Sequence, residues 1–106
     1  MNQITATELK QRLDAGDDIQ LIDVRQPDEY EFARIEGATL ILMSEIPGRI
    51  GELDASKEIV FHCHMGGRSA RVIQFLEQQG FEGKMYNLVG GIGAWSAEVD
   101  PSVPQY

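Results

Sequence analysis

The chain has 106 residues, 42% of them hydrophobic and 25% charged, which suits one globular domain spanning 1–106 with a core of its own. Seventeen acids against nine bases give a net charge of −8, which argues against a nucleic-acid partner, since phosphates demand a basic face. One cysteine cannot form an internal disulfide, the start lacks the blocks of a signal peptide, and no apolar run approaches the ~20 residues that span a bilayer. The expectation is a cytoplasmic monomer that binds neither membrane nor nucleic acid.

The elements follow in order. Thr5-Ala6-Thr7-Glu8 fits a capping box for a first helix carrying Leu9 and Leu13, with Gly16 as its stop. Gln20–Val24 reads as a strand buried on both faces. Pro27, Asp28 and Glu29 open a second helical stretch that Gly37 ends. Ala38–Ile41 is a short strand, and Ser44 caps an irregular helix holding Ile46, Ile50 and Leu53. Glu58–His62 is another buried strand. Ser69 is placed to cap a helix with Val72, Ile73 and Leu76 on one stripe and Gly80 as its stop. Lys84–Leu88 is the last strand, and Gly90-Gly91 turns the chain into a final helix around Ala94 and Trp95. Alternating strands and helices predict an α/β fold with a mainly parallel sheet, whose ligands bind beyond the C-terminal strand ends.

Cys63 lies at such an end, within Phe61-His62-Cys63-His64-Met65-Gly66-Gly67-Arg68-Ser69. Arg68, Arg71, His62 and His64 make this the one locally basic stretch, with no acid between Glu58 and Glu77. A thiolate, not a thiol, is the nucleophile. Three features are expected to favour it: the N-terminus of the helix opening near Ser69, loop N–H groups converging where Gly66-Gly67 permits the backbone angles, and the charge of Arg68. Such a ring of donors would equally suit a terminal persulfide anion.

Four segments in order resemble the rhodanese family of sulfurtransferases. The loop Cys63–Ser69 matches the form C-x-x-G-G-R-S. Leu21-Ile22-Asp23-Val24-Arg25 with Glu29-Tyr30, Ile35-Glu36-Gly37-Ala38, and Gly90-Gly91-Ile92-Gly93-Ala94-Trp95 match the other family motifs. Where the family has G-H-I this chain reads Ala33-Arg34-Ile35, a departure at Arg34 that touches a local turn.

The resemblance implies a rhodanese-like fold, with a central, mainly parallel five-stranded sheet flanked by helices on both faces. It implies that Cys63 takes a sulfane sulfur from thiosulfate or a persulfide donor and passes it to cyanide, a thiol or a sulfur-carrier protein. The N–H groups of His64, Met65, Gly66, Gly67, Arg68 and Ser69 would cradle the outer sulfur, while Arg68 would hold the donor anion or brace the loop. No metal or organic cofactor is implied. The tail Val99–Tyr106 is similar to tails of rhodanese domains fused to ubiquitin-activating-type adenylyltransferases, which suggests a ubiquitin-like sulfur carrier as acceptor, with thioredoxin another candidate.

Blander readings attach to the other residues. Asp23 and Arg25 are expected to fix a strand to a neighbouring loop, Trp95 to sit in the core, and Arg71 to be a solvated surface charge. Gly90 and Gly91 are expected to allow a tight turn and close approach to the cysteine loop. His62 and His64 beside Cys63 raise a metal site, but neighbours in sequence splay to different sides of the chain. Two other functions stand as alternatives. One is a cysteine phosphatase or arsenate reductase, whose anion loop has five residues between cysteine and arginine where this one has four. The other is a non-catalytic rhodanese-like binding module.

Overall fold

Parallel pairing organises the computed structural model, which describes residues 1–106. The elements are β1 (Asn2–Ile4), α1 (Ala6–Asp14), β2 (Ile19–Asp23), α2 (Pro27–Phe32) and β3 (Thr39–Leu40). Two 3₁₀ turns follow (Met43–Gly48 and Ile50–Glu52), then β4 (Glu58–His62), α3 (Gly67–Gln78), β5 (Lys84–Leu88) and α4 (Gly91–Glu98). The five strands lie in the order β1-β5-β4-β2-β3, every neighbouring pair parallel.

Alternation along the central strands divides the core in two. Ile22, Ile59 and Phe61 face one side, where Val72, Ile73 and Leu76 of α3, Ile46 of the first 3₁₀ turn and Leu53 just after the second cover them. Leu21 and Val60 face the other side, against Leu9 of α1 and Ile92 and Trp95 of α4. Trp95 is thus a core residue, as its size leads one to expect.

β4 and β5 fall where their sequence patterns put them, the strand expected over Gln20–Val24 runs one residue earlier, over Ile19–Asp23, and the margins differ more. β1 has no counterpart in the pattern reading. Asn2–Ile4 has one buried residue, and it becomes a strand because β5 offers it a parallel edge. The segment expected over Ala38–Ile41 pairs only at Thr39–Leu40. The second helix, expected to run toward Gly37, stops at Phe32. There Ala33 turns extended (φ −151°) and its carbonyl accepts from the buried Arg25 guanidinium at 2.5 Å. Ser44 caps nothing. The first 3₁₀ turn is closed instead by Glu45, whose carboxylate accepts from the Leu42 N–H.

Candidate active site

β4 delivers Cys63 to the C-terminal edge of the sheet, between the two neighbouring strands it pairs with. The residue is 1% exposed overall, so packing holds the thiol in place. Two backbone bonds from the start of α4 secure the turn: the N–H of Ile92 donates to the Cys63 carbonyl at 3.0 Å, and that of Gly93 to the His64 carbonyl at 3.1 Å. Gly91 makes this approach possible. It has φ +57°, and a Cβ there would lie 2.5 Å from both the Cys63 and His64 carbonyl oxygens. The close approach expected of Gly90-Gly91 is therefore a specific property of Gly91.

The loop then turns through Gly66 (φ +115°), which is the N-cap of α3. This corrects the expected capping role of Ser69, which lies inside the first turn and is fully buried. Its hydroxyl is 3.4 Å from Cys63 Sγ, 3.2 Å from the Gly66 carbonyl and 2.5 Å from Asn87 Oδ1. One hydroxyl proton cannot serve three acceptors, so its direction depends on the charge of the sulfur. Gly67 has no positive φ and open space where a Cβ would go, so the demand for glycine falls on Gly66 alone.

Burial pushes the Cys63 thiol up, as it does any ionising group in a dry site. Hydrogen bonding outweighs burial. The Ser69 hydroxyl and the N–H groups of Ser69, Gly66 and Arg68 bring the thiol below its ordinary value, with the Gly66 N–H 3.1 Å from Sγ. The first N–H groups of a helix have no partner within it, and here those of Arg68 and Ser69 serve the sulfur.

Arg68 acts on sulfur through its backbone, because its side chain is committed elsewhere. Both guanidinium ends donate to Glu29, at 2.6 and 2.9 Å. That bidentate pair holds the Glu29 carboxyl at about 2. Of the two roles expected for this side chain, geometry shows the brace: it ties the cysteine loop to α2.

Behind it lies a second pair. Arg25, fully buried, donates to both oxygens of Asp23 and to the Glu29 and Ala33 carbonyls. This is the strand-to-loop fixture expected of Asp23 and Arg25. Arg34, by contrast, rests over the Tyr30 ring at 4.7 Å and lines a cavity that excludes the cysteine loop. His62 and His64 indeed part company. His62 is sealed in the sheet, its charged form disfavoured by burial, while His64 faces the mouth.

Two residues at the site escaped the pattern reading. Asn87 of β5 fixes both Ser69 and the Gly66 carbonyl, the latter through its Nδ2 at 3.1 Å. Tyr106 stacks on the His64 ring (3.9 Å between centroids, 11° between planes), while its hydroxyl accepts from Arg25 and donates to Glu29, each at 2.8 Å. Nothing local in the sequence marks either residue, and only the similarity of the tail drew attention to Tyr106. Outside the thiol, a cavity of about 340 Å³ is lined by Cys63, His64, Met65, Gly67, Arg68 and Arg71.

Comparison with known proteins agrees with this geometry. Residues 5–98 match the family description "Rhodanese-like domain". The chain is 37% identical over 103 residues to a sulfurtransferase of Allochromatium vinosum, covering 97% of this chain and 95% of that one. It is 33% identical to the adenylyltransferase and sulfurtransferase MOCS3-1 of Zea mays, covering 98% of this chain and 24% of that protein. The crystal structure of a rhodanese-like domain protein from Staphylococcus aureus superposes with a TM-score of 0.84 at 32% identity, covering 100% of this chain and 99% of that one. The chain belongs to the rhodanese-like domain family of sulfurtransferases, and its five-stranded parallel sheet flanked by helices is that fold.

Proposed function

We propose that this member of the family transfers sulfane sulfur through a persulfide on Cys63. The observation that carries the reading is the thiol itself: it is held at a strand end, ringed by the Gly66, Arg68 and Ser69 donors, and its ionisation is eased. The thiolate attacks the outer sulfur of thiosulfate or of a persulfide. A bond forms between Cys63 Sγ and that sulfur, the old S–S bond breaks, and its electron pair leaves with sulfite or a thiolate. The negative charge now sits on the outer sulfur, where the loop donors from His64 to Ser69 can meet it. Cyanide, or the thiolate of a small molecule or of a carrier protein, then attacks that outer sulfur, and as the S–S bond breaks Cys63 departs as the thiolate it began as.

In this reading Cys63 is the nucleophile, Gly66 and Ser69 support its charge, and Arg68 braces the loop through Glu29. Residues 1–106 act as one domain, with no cofactor. A sulfur-carrier acceptor is supported by the similarity to adenylyltransferase-linked relatives, and thioredoxin is a second candidate. No helix is long and apolar enough to cross a membrane, and we place the reaction in the cytoplasm.

The four-residue gap between Cys63 and Arg68 favours sulfur over phosphate, because a tetrahedral oxyanion needs a wider ring of donors. Intact mass after incubation with thiosulfate tests the reading. One added sulfur atom is expected on the native chain and none on Cys63→Ser. Failure to gain sulfur from any sulfane donor, or Cys63-dependent turnover of an aryl phosphate instead, would sink it.

A further inference from the structure

The nine cations of this acidic chain are almost all neutralised. Lys10, Arg12, Arg25, Arg49, Lys57, Arg68 and Lys84 each have a carboxylate partner. Arg34 is accommodated on the Tyr30 ring. Arg71 alone has no carboxylate partner, no side-chain hydrogen bond and no aromatic face, and it lines the cavity that contains Cys63. With 17 acids available, pairing is the rule on this surface and Arg71 is its exception.

The placement matters because the field of the whole molecule opposes the reaction. A net charge of −8 repels a dianion, and the arginine nearest the sulfur in sequence offers it little, since Glu29 already cancels Arg68. Arg71 lies one helical turn beyond Gly67 on α3 and shares a face with Arg68. It also lines an apolar cleft with Met43, Ile46, Pro47, Val72 and Phe75, a floor along which its aliphatic stem can lie while the charged head stays at the mouth.

We infer that Arg71 is the specificity-determining cation of the site, recruiting small, doubly charged inorganic sulfane donors through their oxygens while Cys63 takes the sulfur. The inference rests on the sulfur-transfer reading and assigns its donor class. In the step it serves, Cys63 thiolate and thiosulfate become Cys63 persulfide and sulfite. The S–S bond of thiosulfate breaks as the new one forms, and the total charge stays the same. Arg71 faces two negative charges before the step and two on the departing sulfite, so it contributes to binding more than to the barrier.

The test compares steady-state kinetics with thiosulfate, a dianion, and benzenethiosulfonate, a monoanion with the same sulfane sulfur. Arg71→Ala is expected to raise the KM for thiosulfate about tenfold, to raise that for benzenethiosulfonate less, and to leave kcat within about twofold. Arg71→Lys should recover most of the loss. The gap between native chain and variant should close as ionic strength rises. Arg34→Ala removes the same charge far from the thiol, and it should leave both constants unchanged. A KM for thiosulfate within twofold of native in Arg71→Ala overturns the inference while sulfur transfer stands, and so does an equal rise in Arg34→Ala. A native chain that accepts sulfur from neither donor overturns both.

Discussion

Two turns in this molecule are built alike and used differently. The cysteine loop leaves β4 and enters α3 through Gly66, and the Val89–Gly91 turn leaves β5 and enters α4 through Gly90. Both N-caps are glycines at positive φ, and neither helix has a side-chain cap. Both helix starts therefore present unpaired N–H groups at the same edge of the sheet. In α4 these groups meet the Cys63 and His64 carbonyls. In α3 those of Arg68 and Ser69 face the sulfur. One helix terminus holds the loop in place, and the other gives it its chemistry. A helix N-terminus becomes a site only where the protein leaves its donors unclaimed.

Substitutions at the glycines sharpen that contrast. Gly91→Ala should be the most damaging to stability, because a Cβ there meets two carbonyl oxygens at 2.5 Å in a backbone conformation alanine resists. We expect a loss of about 2–4 kcal/mol in urea unfolding. Near-native stability would show that the contact between the two turns is slack. Gly66→Ala meets nothing closer than 3.7 Å, so only its φ of +115° is penalised, by about 1–2 kcal/mol. Its mark should be on the thiol: alkylation of Cys63 followed against pH should show a midpoint below that of a free thiol in the native chain and a higher one in Gly66→Ala. An unmoved midpoint would mean that the turn, and the N–H it aims at the sulfur, tolerates alanine at φ +115°.

A smaller effect tests the strand that feeds the loop. Burial disfavours the charged form of His62, so the folded state resists a proton that the unfolded chain accepts. The unfolded state then binds more protons below about 6.5, and stability falls with falling pH until the native pKa is reached. Thermal unfolding between pH 7.5 and 5.5 should show this slope in the native chain and a flatter one in His62→Gln. Parallel slopes would remove His62 as the cause. Least of all should Gly67→Ala matter, with a change within about 0.5 kcal/mol, since neither backbone nor space demands glycine there.

Much of the site could be read along the chain because its parts are close in sequence. Cys63, Gly66, Arg68 and Ser69 lie within one loop, and the alternation of Ile59, Val60 and Phe61 places that loop at the end of a buried strand. The reading faltered where a residue's role depends on a distant neighbour. Ser69 has the profile of a cap, and it becomes a donor to sulfur only because Gly66 starts the helix and Asn87 arrives from β5. Arg68 looks like an anion-binding charge until Glu29, 39 residues away, claims it. Arg71 looks like ordinary surface until its lack of a partner is seen against eight occupied cations. Tyr106 reaches Arg25 across 81 residues, a separation at which local pattern says nothing.

By itself, then, the sequence determined the alternation of strand and helix, the parallel sheet, and the chemistry available at Cys63. These follow from periodicity and from short-range backbone geometry, which act over a few residues. Tertiary structure alone decided how each polar group is used: which helix terminus stays open, which arginine is cancelled and which is left free, and that Asn2–Ile4 becomes a strand. Hydrogen bonds and ion pairs are satisfied by whatever partner the fold brings within about 3 Å, and that choice is made between residues tens of positions apart.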